Sequence, residues 1–175
     1  MAATGVGHWS HPYVRADDAQ AAVSLEPGKS IERQLAGGQY HVYLLRLAAG
    51  EAARLTVEQR GIDIGLRVLD AADKDVLYVD AEPRRTHAEH MVLAADTAVE
   101  YRVQVEARYR QEPQASYAIR LQQGPMTADD QATSEAWRLR IESDALEGES
   151  PAGALQMLKR ALTLAEQTSA PGQRF

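Results

Sequence analysis

The sequence predicts a mainly β fold: an antiparallel β-sandwich or jelly roll of eight or nine strands, followed by a C-terminal α-helical hairpin. Three observations predict it. Short apolar runs recur at spacings of about 8–15 residues from Val23 to Leu121, separated by breaks bearing Gly, Pro or Asp. Several of these runs alternate strictly. Ala53, Leu55 and Val57 oppose Arg54, Thr56, Glu58 and Arg60, and Tyr101, Val103 and Val105 oppose Arg102, Gln104 and Glu106. A period of two is that of a strand with one dry and one wet face. Past Gly124-Pro125 the period lengthens to that of a helix, in segments rich in Ala, Glu, Arg and Leu.

Taken in order, residues 1–21 lack periodicity and read as a loose arm, with His8-Trp9-Ser10-His11 its only concentrated chemistry. Val23-Ser24-Leu25 and Ser30 to Ala36 read as two strands about a turn, with Pro27-Gly28 at the central positions of type II. Tyr40 to Asp70 then reads as three consecutive antiparallel strands, divided at Gly50 and Gly61. The first of these, Tyr40 to Leu47, is apolar at almost every position, which predicts cover on both sides. Val76 to Val79, His87 to Ala94, Val99 to Ala107 and Ser116 to Leu121 complete the strands. The division that results is an arm (1–21), a sandwich (22–124) and a hairpin (127–168).

Thr127-Ala-Asp-Asp130 sets a capping hydroxyl three residues before an acid, the spacing at which each satisfies the other's backbone N–H. The helix it opens runs to Leu146, with Trp137, Ile141 and Ala145 on one stripe. Glu147-Gly148-Glu149-Ser150-Pro151 breaks it, and Pro151 suits the first turn of the next helix. That helix, Ala152 to Gln167, places Leu155, Leu158, Leu162 and Ala165 on one side.

The composition excludes several classes of function. There are no cysteines, so thiol catalysis, zinc–thiolate sites and disulfide frameworks are out. The net charge of −6 has no basic stripe within it, so nucleic acid is not an expected partner. No apolar run approaches the roughly 20 residues that cross a bilayer, and the opening residues do not read as a signal peptide. Among candidate ligands, Asp63, Asp70, Asp73, Asp75 and Asp80 form the densest acidic group. Asp70, Asp73 and Asp75 offer oxygens on one turn, as a calcium ion requires. The same turn lacks the glycine and distal glutamate of a dedicated calcium loop, and so equally describes a hairpin with solvated carboxylates. His87 and His90, three apart on a strand, would diverge to opposite faces. Arg84-Arg85 reads as solvated surface, and the strand tyrosines as core plugs whose hydroxyls reach the rim. A hydrolytic set of Asp63, Asp70 and His90 would require three strand positions to converge, which alternation gives no reason to expect.

Two resemblances follow from these residues. Ala154-x3-Leu158-x2-Ala161-Leu162 is similar to the small-x3-large-x2-small core of a tetratricopeptide repeat's second helix. The strands resemble an N-terminal β-sandwich found ahead of such repeats in bacterial proteins with a caspase-like CHAT domain. That sandwich is itself similar to the pre-peptidase C-terminal domains of secreted proteases. The likeness is carried by Tyr40-x3-Leu44-x2-Leu47-x-Ala49-Gly50, Val57-Glu-Gln-Arg-Gly61-x-Asp63, Leu66-x-Val68-Leu69-Asp70, Tyr101-x-Val103-x-Val105 and Tyr117-x-Ile119-x-Leu121. It implies a non-catalytic binding or spacer module within a larger repeat protein, with any CHAT catalytic Cys and His outside this chain. The implied partner is protein, the rest of a longer parent chain or a second copy, met through Trp137, Leu155, Leu158 and Leu162. The alternative it implies is a calcium-dependent carbohydrate- or matrix-binding domain, with Asp70, Asp73 and Asp75 as ligands, and a periplasmic or secreted setting.

Overall fold

The computed structural model describes residues 14–15, 22–81, 84–146 and 148–168. Two sheets face each other across one apolar core, and two helices follow. The first sheet holds β1 (Val14–Arg15), β2 (Val23–Ser24), β4 (Gln39–Leu47), β6 (Ile64–Leu69), β7 (Asp75–Val79) and β9 (Val99–Ala107). Its order is β1-β4-β9-β6-β7, with β2 also on β4. The second sheet holds β3 (Ser30–Leu35), β5 (Glu51–Arg60), β8 (Ala88–Ala95) and β10 (Ala115–Pro125), in the order β3-β10-β5-β8. All of its pairings are antiparallel; in the first sheet only β1 and β2 run parallel to their neighbour.

The expected sandwich is what forms, with one correction in its wiring. Tyr40 to Asp70 is not a meander of paired neighbours, because β4, β5 and β6 fall in alternate sheets. From β3 onward only the β6–β7 connection stays within a sheet. Each run buries one face against the opposite layer, so crossing over satisfies the same alternation that a hairpin would. The inward residues are those the pattern selects: Leu55, Val57, Val103, Val105, Ile119 and Leu121 are all buried. The turn before β3 has the expected type. Gly28 takes φ +81° after Pro27, and the Lys29 N–H donates to the Glu26 carbonyl at 3.2 Å.

The arm, with His8 and His11, lies outside the described residues except for Val14–Arg15, which add a short parallel bridge to Gln39 and Tyr40. A second departure is on the outer face of β6, where all six residues are buried rather than alternating. There the Arg67 guanidinium lies 5.1 Å over the Tyr78 ring, 2.7 Å from Asp75 and 3.6 Å from Glu106. Long side chains laid flat and paired in this way keep water from strand positions that the pattern assigns to solvent.

α1 (Ala128–Leu146) packs against β8 and β7, the edge strands of the two sheets on the same side. It therefore seals the open side of the sandwich. α2 (Pro151–Gln167) packs back on α1.

Candidate functional site

The start of α1 is fixed by a reciprocal cap. The Asp130 N–H donates to Thr127 Oγ1 at 3.2 Å, and the Thr127 N–H and hydroxyl donate to Asp130 Oδ2 at 2.8 and 2.6 Å. Arg54, an outward residue of β5, closes a two-pronged pair on the same carboxylate, with Nε 2.7 Å from Oδ1 and the second nitrogen on Oδ2. Burial pushes the Asp130 carboxyl up, but the Thr127 hydrogen bonds and the Arg54 cation outweigh it and leave the carboxyl below its ordinary range. One side chain thus ties the helix cap to the sheet.

About two turns further on, Trp137 corrects the expectation that it faces a partner. It is 1% exposed and belongs to the sandwich core, with Ile141 packed alongside. The stripe of Trp137 and Ile141 is the face that α1 turns to the sheets, so its area is spent inside the molecule. The next side of α1 presents Ala136 and Leu139, which bury against Ala161 of α2, with Met157 and Leu164 beside them. Ala154 is buried as well. The two alanines of the tetratricopeptide-like pattern are therefore the residues that let the helices close.

Leu158 and Leu162 of that pattern point the other way, together with Leu155. Leu155, Leu158 and Leu162 are 53%, 43% and 53% exposed, at positions i, i+3 and i+7 of α2. Three leucines on one stripe of a surface helix ordinarily face a core. Leu158 and Leu162 continue into a shallow groove between the helices, lined also by Ala161 and Arg140. The Arg140 guanidinium sits 5.5 Å over the Trp137 ring. Of the four residues expected to meet a partner, these three are presented together and Trp137 is not.

The acidic turn is organised differently. The Asp70 carboxylate accepts the backbone N–H groups of Ala72 and Lys74 at 2.8 and 2.9 Å. Asp73, at φ +62°, pairs with Arg102, and Asp75 pairs with Arg67 at 2.7 Å. Each carboxylate thus serves the turn or an arginine, and among the described residues no cluster of His, Asp or Glu is arranged to hold a metal ion.

The opposite end of β6 carries a polar pole that the strand pattern did not reveal. Asp63 and Glu112 are 3% and 6% exposed, and Asp63 Oδ1 and Glu112 Oε2 have no hydrogen-bond partner among the described residues. Arg85 reaches Glu112 at 2.8 Å, and Arg108 pairs with Asp80. Burial pushes the Asp63 carboxyl up, and the charges of Asp80 and Glu112 add to the rise against the pull of Arg85 and Arg108. Gly37 stands beside this pole because the Arg110 backbone passes where a β-carbon would be, and its N–H donates to the Glu112 carbonyl at 3.0 Å.

The remaining candidates are dispersed. Asp63 and Asp70 bracket the two ends of β6, and His90, on the outer face of β8, sits 3.3 Å from Thr56 Oγ1. The hydrolytic set is therefore not assembled. His87 and Arg85 are exposed in the loop before β8. Tyr43 and Tyr117 are wholly buried, and their hydroxyls bond each other at 2.6 Å instead of reaching the rim. His41 Nδ1 joins Tyr117 at 2.7 Å, so the trio links β4 of one sheet to β10 of the other.

No family model matches this sequence, and no curated protein matches it. Among solved structures, the chain is similar to the pre-peptidase C-terminal domain of a collagenase from Bacillus anthracis. That likeness has a TM-score of 0.46 at 16% identity, over 59% of this chain and 96% of that one. It is similar also to PliG of Aeromonas hydrophila, a periplasmic inhibitor of g-type lysozyme, at a TM-score of 0.44 and 14% identity over 58% and 96%. PliG of Salmonella Typhimurium gives 0.43 and 14% over 60% of this chain and 100% of that chain.

Proposed function

We propose that this chain is a non-catalytic, protein-binding spacer module, and that the leucine face of α2 receives a helix of a longer tetratricopeptide-like array in the same parent protein. One observation carries the reading. α2 closes on α1 through Ala154, Ala161, Met157 and Leu164, and leaves three leucines, Leu155, Leu158 and Leu162, exposed on another stripe. Burying three leucines is worth about 1.5–3 kcal/mol each, so a helix laid on that stripe gains several kcal/mol before ordering costs. A stacked repeat has this form, with one face closed on its own hairpin and the other awaiting the next. The dispersal of Asp63, Asp70 and His90 supports a role without chemistry.

The test uses the full chain and a fluorescent synthetic 16-residue helical peptide with leucines at i, i+3 and i+7. Anisotropy should rise to saturation with wild type and stay flat with a Leu158→Asp, Leu162→Asp double variant. Equal titrations, or none, would remove the stripe from consideration. Continuation of the coding sequence into further helical repeats of about 34 residues would support the parent array.

A further inference from the structure

We infer that the helix received by α2 is acidic, with a carboxylate set against Arg140. This rests on the reading above that the leucine stripe takes a helix. The stripe lies between two cations. Arg140 lines the groove with Leu158, Ala161 and Leu162. Lys159 follows Leu158 on the open side, one turn from Leu155 and from Leu162, and it is exposed. Among the described residues neither is in an ion pair. Their neighbours are: Arg138 is held by Glu135 at 2.5 Å and Glu142 at 2.7 Å, and Arg160 lies 3.6 Å from Glu135. Asp144, one turn beyond Arg140, is exposed and makes no pair with it. Glu166 is the one carboxylate of α2 beside the stripe, at its C-terminal end past Leu162.

Arg140 is also held in position. Its guanidinium stacks over the Trp137 ring, and Trp137 is anchored in the core, so the ordering of a long cationic side chain is already done before anything docks. An apolar floor with a fixed guanidinium at its edge selects an amphipathic helix whose flank carries Asp or Glu. A second copy of this chain fits less well. A two-fold contact centred on Leu158 would bring each Arg140 and Lys159 toward its own mate, and like charges meeting across an axis oppose association.

The experiment compares two 16-residue helical peptides with the same three leucines, one flanked by glutamates and one by lysines, titrated into the full chain at low and at high salt. The glutamate peptide should bind at least tenfold tighter at low salt, with the ratio shrinking at high salt. Arg140→Met with Lys159→Met should abolish the ratio while keeping residual apolar binding, and circular dichroism would show the variant folded. Equal affinity for both peptides would overturn the acidic partner and leave the leucine stripe standing. Binding of neither peptide would overturn both readings, as would a dimer in light scattering that Leu158→Asp dissolves, or capture only by phosphatidylserine vesicles.

Discussion

Asp130 carries three duties at once: it caps α1, it accepts the Thr127 hydroxyl, and it holds Arg54 of β5. Replacing it by Asn keeps the shape and removes the charge, and chemical denaturation at pH 7 should show a loss of about 1–3 kcal/mol. Because its folded-state carboxyl lies below the ordinary range, this stability is present above the unfolded pKa of about 3.9. It is lost as pH falls through the folded value, so wild type and Asp130→Asn should converge in strong acid. Asp63 has the opposite sign. Its carboxyl is raised, so the folded state keeps the proton longer, and stability declines as pH climbs from the unfolded value to the folded one. Asp63→Asn should therefore melt above wild type at pH 7, with the gap closing near pH 3; a lower melt at pH 7 would contradict the burial argument. The cap was legible in the sequence, because Thr-x-x-Asp is a local signal. Arg54 as its third member was not, since its partner lies 76 positions away. The pole at Asp63 was hidden for the same reason, although a carboxylate between Ile62 and Ile64 is the kind of local conflict that marks a buried charge.

At the scale of elements, α1 behaves as part of the sandwich. Trp137→Ala should cost about 3–5 kcal/mol, measured by denaturation of the whole chain, because the cavity opens in the main core. Truncation after Ser150 removes only the cover of Ala136 and Leu139, and near-ultraviolet circular dichroism should still report packed sheets. Truncation after Pro125 removes Trp137, and the same signal should be lost. The strands and helices were legible because alternation and the 3.6 period are written in neighbouring residues. Their faces were only half legible. In α1 the pattern found the stripe of Trp137 and Ile141 but not its destination, which depends on the two sheet edges that β7 and β8 leave uncovered. In α2 it found the leucines, and the small alanines decided which side closed.

For the whole molecule, which strand pairs with which was the part that periodicity could not supply. A strand with one dry face is equally content in either layer, so the choice between a meander and a crossing pattern belongs to the global topology. That choice reaches beyond the finished fold. β9 is the strand that joins β4 to β6, and β10 is the one that joins β3 to β5. Both keystones are made last. While the chain leaves the ribosome, the first sheet exists only as β4 apart from the β6–β7 pair, and the second only as β3 apart from the β5–β8 pair, so each layer zips shut only when its middle arrives. Synthesis halted near Asp96 should yield an insoluble product, and release past Leu146 a soluble one, so the sandwich is most exposed to aggregation, and to chaperones, before β9 and β10 are made.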